Sequence, residues 1–216
     1  MSALTRQNGR LHLEAVALEA VADQFGTPSY VYSRAALEAA YDEFALPWQQ
    51  VPNTICYAVK ACSNLSVLKI LADRGAGFDI VSGGELERVM RAGGRADRIF
   101  FSGVGKQPHE MAAALKAGIA CFNVESKAEL ETLADVAAGL GLKAPISLRV
   151  NPEVDPRTHP YIATGLRESK FGIAMEEAMP LYQWAAGQDS LDIVGLDCHI
   201  GSQITELDPF TEAFEL

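Results

Sequence analysis

The sequence is short of positive charge, of cysteine and of long apolar runs. Its 18 Lys+Arg face 28 Asp+Glu, a formal charge of −10 at pH 7, and no cluster of Lys and Arg occurs anywhere. Nucleic acid and anionic membranes are held by basic clusters, so neither is expected as a partner. No stretch approaches the roughly 20 apolar residues of a membrane span, and residues 1–10 hold no apolar core of the kind a secretory signal needs. A cytoplasmic location is expected. The 4 cysteines, Cys56, Cys62, Cys121 and Cys198, make no C-x-x-C pair and have no histidine at finger spacing. Neither zinc nor a disulfide framework is indicated, and buried free thiols are expected. Neither H-E-x-x-H nor G-x-S-x-G occurs, and His12, His109 and His159 have no partner at metal spacing. Metal and serine hydrolysis are disfavoured, and no metal site is expected.

What is present is an ordinary globular composition, 49% apolar and 21% charged. Residues 11–25 read as a helix stopped by Gly26-Thr27-Pro28, Tyr30-Val31-Tyr32 as a short strand, and 34–47 as a helix ended by Pro47. Beyond that, strand-like runs cover Thr54–Lys60, Phe78–Ser82, Ile99–Gly103, Cys121–Glu125, Ile146–Asn151 and Asp192–Ile200. Helical stretches fall near 66–74, 84–92, 108–117, 126–139 and 176–187. The last interval is about twice the others and contains Pro152–Gly172, a candidate functional insertion. No internal repeat beyond this rhythm stands out. Strand–helix alternation implies parallel pairing, in an open doubly wound sheet or a closed barrel.

Two features favour the barrel. The turn Lys60-Ala61-Cys62-Ser63-Asn64 lacks the glycines of a dinucleotide-binding sheet. Each strand also reads as apolar through its body and ends in a polar side chain: Lys60, Ser82, Ser102, Glu125, Arg149 with Asn151, and His199 before Gly201-Ser202. In a barrel those ends meet at one mouth.

Lys60 could place an amine in a partly desolvated cavity, where Schiff-base chemistry becomes accessible, or could be an ordinary surface lysine. His199 could stack on a planar ligand or move protons, with Gly201 and Ser202 offering close backbone approach and a hydroxyl to a phosphate, although a lone histidine at a strand end is more often structural. Ser82-Gly83-Gly84-Glu85 opens a helix, with Glu85 favoured in its first turn by the helix dipole. Lys106, Lys170 and Arg157 could contact an anionic substrate or simply be solvated.

Taken together, Tyr57-Ala58-Val59-Lys60-Ala61, Gly77-Phe78-Asp79-Ile80-Val81-Ser82-Gly83-Gly84-Glu85-Leu86 and Cys198-His199-Ile200-Gly201-Ser202-Gln203 form an ordered set of motifs. With Asn151-Pro152-Glu153-Val154-Asp155, Thr158-His159-Pro160, Thr164-Gly165-Leu166 and Ser169-Lys170-Phe171-Gly172-Ile173, the set resembles the pyridoxal-phosphate-dependent decarboxylases of the alanine-racemase-like barrel fold. Within that family it looks most like the branch acting on meso-diaminopimelate. The resemblance implies an α/β fold, a (β/α)8 TIM-type barrel cut after about six βα units at residues 46–216. It also implies an amino-terminal helix-strand segment, 1–45, that would pack with an absent carboxyl-terminal β-domain. Such a partial barrel is not expected to fold stably or turn over alone.

The resemblance further implies pyridoxal 5'-phosphate as cofactor, bound covalently by Lys60 and stacked on by His199. Gly201 and Ser202 would hold the phosphate, Arg149 would lie against the cofactor, and Asp79 and Glu85 would stand near it. Lys60 and His199 would be the catalytic pair. Implied partners are a small amino-acid substrate and a second copy in a homodimer. The implied reaction releases carbon dioxide from meso-diaminopimelate and leaves L-lysine. Related decarboxylases acting on ornithine, arginine or carboxynorspermidine, and a non-catalytic binding protein on the same barrel, are the alternatives.

Overall fold

A computed structural model describes residues 3–154, 171–202 and 204–216. The chain opens with an antiparallel sheet of β1 (Leu4–Gln7), β2 (Arg10–Leu13) and β3 (Val16–Ala17), followed by α1 (Leu18–Phe25) and α2 (Arg34–Ala45). The single helix expected over 11–25 is therefore half strand: only Leu18–Phe25 is helical. Leu11 and Leu13 pair with β1, Leu13 and His12 with β3, and their apolar spacing serves cross-strand packing. Tyr30-Val31-Tyr32 forms no strand.

The rest is a parallel sheet with helices between its strands. Its elements are β4 (Cys56–Ala58), α3 (Leu65–Asp73), β5 (Gly77–Ile80), α4 (Gly83–Arg91), β6 (Ile99–Phe101), α5 (Pro108–Ala117), β7 (Cys121–Val124) and α6 (Lys127–Leu140). They continue through β8 (Ala144–Asn151), β9 (Ile173–Ala174), α7 (Met175–Ala186), β10 (Leu191–Cys198) and α8 (Asp208–Glu215). Neighbours follow chain order, β4-β5-β6-β7-β8-β10, with β9 joined to the end of β8. A doubly wound sheet reverses its order at a switch point; this one never does, as a barrel requires.

The helix starts are written in the sequence. Asn64, Ser82 and Ser126 cap α3, α4 and α6 through their side-chain oxygens, and Gln107 with Glu110 closes a capping box on α5, where Pro108 sits at the first turn. Gly118 and Gly141 end α5 and α6 in the left-handed conformation.

Strands β5 to β8 alternate between two faces. Phe78, Ile80, Ile99, Phe101, Phe122, Val124, Ile146 and Leu148 are fully buried on the face that packs against the helices. Cys56, Asp79, Phe100, Asn123, Arg149 and Asp197 line a cavity on the other. The strands are thus not all apolar through their bodies: the polar residues Asp79, Asn123, Arg149 and Asp197 lie within strands on the inner face. Gly77 fits because a Cβ there would stand 2.7 Å from both Cys56 Sγ and Thr54 Cγ2 and 2.8 Å from the Arg98 carbonyl oxygen.

The thiols do not all follow the buried expectation. Cys121 is buried, Cys56 and Cys62 are half-buried, and Cys198 is exposed at the end of β10, which pairs only with β8 among the described strands.

Candidate active site

Lys60 lies in a 3-10 turn, Val59–Ala61, directly after β4. Its exposed side chain reaches a cavity of about 370 Å³, at the small end of ligand pockets. Asp79, Ser102, Asn123, Arg149, Asp197 and His199 line the same cavity. Four residues singled out in the sequence, Lys60, Asp79, Arg149 and His199, therefore converge from four strands.

Arg149 is nearly buried. Its guanidinium meets Glu125 at 3.1 Å and lies 5.3 Å from the centre of the Phe171 ring. The same Glu125 oxygen, Oε1, accepts the Gly103 N–H at 2.5 Å. Among the described residues, Arg149 Nε is buried without a hydrogen-bond partner. A buried, half-satisfied cation beside a cavity is a ready binding point for an anionic group.

Burial pushes the Asp79 carboxyl above the usual range, opposed by a hydrogen bond from Ser102 and by the charges of Lys60 and Arg149. Asp197 is pushed up to about 6, again chiefly by burial; Arg149 draws it down while Asp79 and Glu125 push it up. His199 is held below its ordinary value by burial first, then by Arg149 and Lys60, which keeps its ring uncharged near neutrality. Burial and the neighbouring Asp79 push the Cys56 thiol up to about 12, leaving it un-ionised and unreactive.

The path of β10 decides that His199 and Asp197 face inward. Ile193 pairs with Ile146, but Gly195 pairs with Ser147, so Val194 is an extra residue. Without that bulge Asp197 would stand opposite Val150 on the outer face; with it, Asp197 pairs with Arg149. The Tyr182 hydroxyl, on α7, steadies the irregularity by donating to the Gly195 carbonyl at 2.7 Å and accepting the Leu148 N–H at 3.2 Å.

Other sequence-selected residues stand elsewhere. Glu85 lies behind the cavity, its Oε2 accepting the Val81 N–H at 2.7 Å, and burial raises its pKa. Gly201 is half-buried and Ser202 exposed in the loop after β10, and neither is among the cavity's lining residues. Ser82 caps α4 and Asn151 donates to the Phe171 carbonyl. Lys106 is neither solvated nor turned to a ligand. Its buried ammonium donates to the carbonyls of Gly103 (2.9 Å) and Asn123 (2.7 Å) and to Glu129 (2.7 Å), which uses all three protons. Arg157, Lys170, His159, Gln203 and residues 155–170 of the insertion lie outside the described residues.

Asn123 and Asp197 were not selected from the sequence, though signals existed. Asp197 is two residues before His199, on the same strand face. Asn123 belongs to a repeat that does exist: Phe78-Asp79-Ile80-Val81-Ser82-x-x-Glu85-Leu86 aligns with Phe122-Asn123-Val124-Glu125-Ser126-x-x-Glu129-Leu130. In both copies serine caps the helix and glutamate turns back to a backbone N–H, of Val81 and of Glu125.

A larger groove, about 810 Å³, is lined by apolar residues of β2, α1, α2 and α3. Its Glu14 carboxylate is occupied by the Ser33 hydroxyl and the Ala35 N–H, so it offers no comparable chemistry.

The family model described as pyridoxal-dependent decarboxylase, pyridoxal binding domain, matches residues 34–216. The diaminopimelate decarboxylase of Pseudomonas aeruginosa is 57% identical over 215 residues, covering 100% of this chain and 52% of that protein. The crystal structure of the Helicobacter pylori diaminopimelate decarboxylase complexed with L-lysine superimposes with a TM-score of 0.87 at 44% identity, over 91% of this chain and 50% of that one. The M. jannaschii diaminopimelate decarboxylase in co-complex with L-lysine gives 0.88 at 35% identity, over 98% and 51%. The chain spans about half the length of the curated relatives it matches. With the family model matching residues 34–216 and relatives of this identity covering nearly all of the chain, the chain belongs to the pyridoxal-dependent decarboxylases through their pyridoxal-binding domain.

Proposed function

We propose that the protein carrying this chain decarboxylates meso-diaminopimelate to L-lysine with pyridoxal 5'-phosphate, and that this chain supplies the lysine that holds the cofactor. The observation that carries the reading is the convergence of Lys60, Asp79, Arg149 and His199 on one cavity.

The residues present fit the cofactor. Lys60 offers a primary amine to an aldehyde, Arg149 a buried nitrogen without a partner, and His199 an uncharged planar ring to stack on a heteroaromatic one. Asp79 faces Lys60 across the cavity as its counter-charge. Gly201 and Ser202, just beyond β10, are assigned to the phosphate, and Glu85 to the acidic surroundings of the amine, its Oε2 already turned to the backbone. Pyridoxal 5'-phosphate, when bound, supplies an electron sink for the pair released as the α-carboxylate departs.

The chain's own residues do the rest. Lys60 would hold the cofactor through its primary amine. Arg149, oriented by Glu125 and Phe171, would hold an anionic group, and the ring of His199 would stack on the cofactor's ring. The proposal extends to a homodimer in the cytoplasm, on the strength of the family resemblance.

The test is carbon dioxide and L-lysine release from meso-diaminopimelate by the intact protein loaded with cofactor. Both are expected, with ornithine and arginine far slower. A protein that binds the cofactor and yet releases no carbon dioxide from meso-diaminopimelate contradicts the proposal.

A further inference from the structure

The inner face of the sheet carries a row of neutral polar side chains that the chemistry above does not use. Ser147, on β8, donates its hydroxyl proton to Asn123 Oδ1 at 2.7 Å. Asn123, on β7, donates from Nδ2 to Ser102 Oγ at 3.1 Å. Ser102, just past β6, donates to Asp79 Oδ1 at 2.5 Å. Each bond crosses one strand, so the row runs over four neighbouring strands and ends on Asp79, its one charged member.

The row has a direction. An amide has distinct donor and acceptor ends, and with Oδ1 taken by Ser147 the Asn123 amide turns its N–H toward Ser102. The Ser102 oxygen then accepts from Asn123, and its single proton is left for Asp79. Bonds linked head to tail in this way polarise and strengthen one another.

We propose that Ser147, Asn123 and Ser102 form a positioning relay that fixes the Asp79 carboxylate toward Lys60 and keeps it anionic, acting on the reaction only through Asp79. The surroundings explain the need. Asp79 is half-buried, and its charged and titratable neighbours are Lys60 after β4, Cys56 on β4, Glu85 on α4, Glu125 after β7, Arg149 on β8 and Asp197 on β10. Three of these are carboxyl groups that disfavour another negative charge. Burial also opposes ionisation, and a donor fixed on Oδ1 works against both by bonding to the charged form. A serine free to rotate would not.

The role in catalysis rests on the decarboxylase reading, but the relay can be tested without it. In the intact apoprotein, the Asp79 carboxyl is titrated by carbon-13 NMR and identified by the signal that Asp79→Asn removes. Ser102→Ala is expected to raise its midpoint by about one pH unit. Ser102→Thr, which keeps the hydroxyl, restores the original value, and Ser147→Ala at the far end gives a smaller rise in the same direction. In the loaded enzyme, Ser102→Ala should move the acid limb of the kcat profile by the same amount and leave KM unchanged. A midpoint unmoved in both alanine variants, or raised equally by Ser102→Thr, overturns the relay. Because the apoprotein titration involves neither cofactor nor substrate, its failure and that of the decarboxylase reading are separable.

Discussion

Arg149 and Glu125 show how single residues were only half legible. Both stand at expected strand ends, yet nothing in the sequence announces that they pair, since Glu125 and Arg149 are brought together only by the neighbouring registers of β7 and β8. Lys106 was open to an anion-binding role because its burial depends on Glu129, supplied by the next βα unit. Asp197 allows a quantitative check at this scale. Its folded pKa, pushed up to about 6 by burial, lies above the ordinary aspartate value of 3.8. The unfolded chain therefore loses its proton first, so the carboxyl favours the fold fully only below pH 4, and that contribution is lost as pH rises through 6. Asp197→Asn, which cannot ionise, is expected to stabilise the apoprotein by about 3 kcal/mol at pH 8. The gain should shrink with acidification and vanish near pH 4. Thermal unfolding across that range checks it, and a gain independent of pH would contradict the buried-carboxyl explanation.

The elements were better legible than their inner faces. α3 to α7 fall close to where the sequence placed helical stretches, because apolar spacing is a local signal. The strands were placed, but Asp79, Asn123 and Ser147 look like interruptions of apolar runs until the sheet shows that every second residue faces a cavity. The bulge in β10 left no sequence signal except Gly195, and it alone turns Asp197 inward. Tyr182 holds that bulge. Tyr182→Phe deprives the Leu148 N–H and the Gly195 carbonyl of their partner, and is expected to cost about 1–2 kcal/mol of stability. It should also lower cofactor affinity through displacement of β10, as fluorescence titration would show. Lost stability with unchanged affinity would mean that the bulge does not set the inward-facing residues.

On the scale of the whole molecule, the repeating βα interval already implied parallel strands. The chain-order pairing β4-β5-β6-β7-β8-β10 removes the doubly wound alternative that composition and spacing left open. The amino-terminal region was least legible, since a short strand followed by a tight turn and an eight-residue helix carries the same apolar spacing as one longer helix. Among the described residues no helix is long and apolar enough to cross a membrane.

The central claim is that one lysine of this chain holds the cofactor. Borohydride reduction of the intact protein loaded with pyridoxal 5'-phosphate, followed by mass-spectrometric peptide mapping, reads this out directly. The label is expected on Lys60 alone, and Lys60→Ala should abolish both the label and the visible absorption. A label on Lys69, Lys106 or any other lysine, or a reducible adduct persisting in Lys60→Ala, would contradict the assignment.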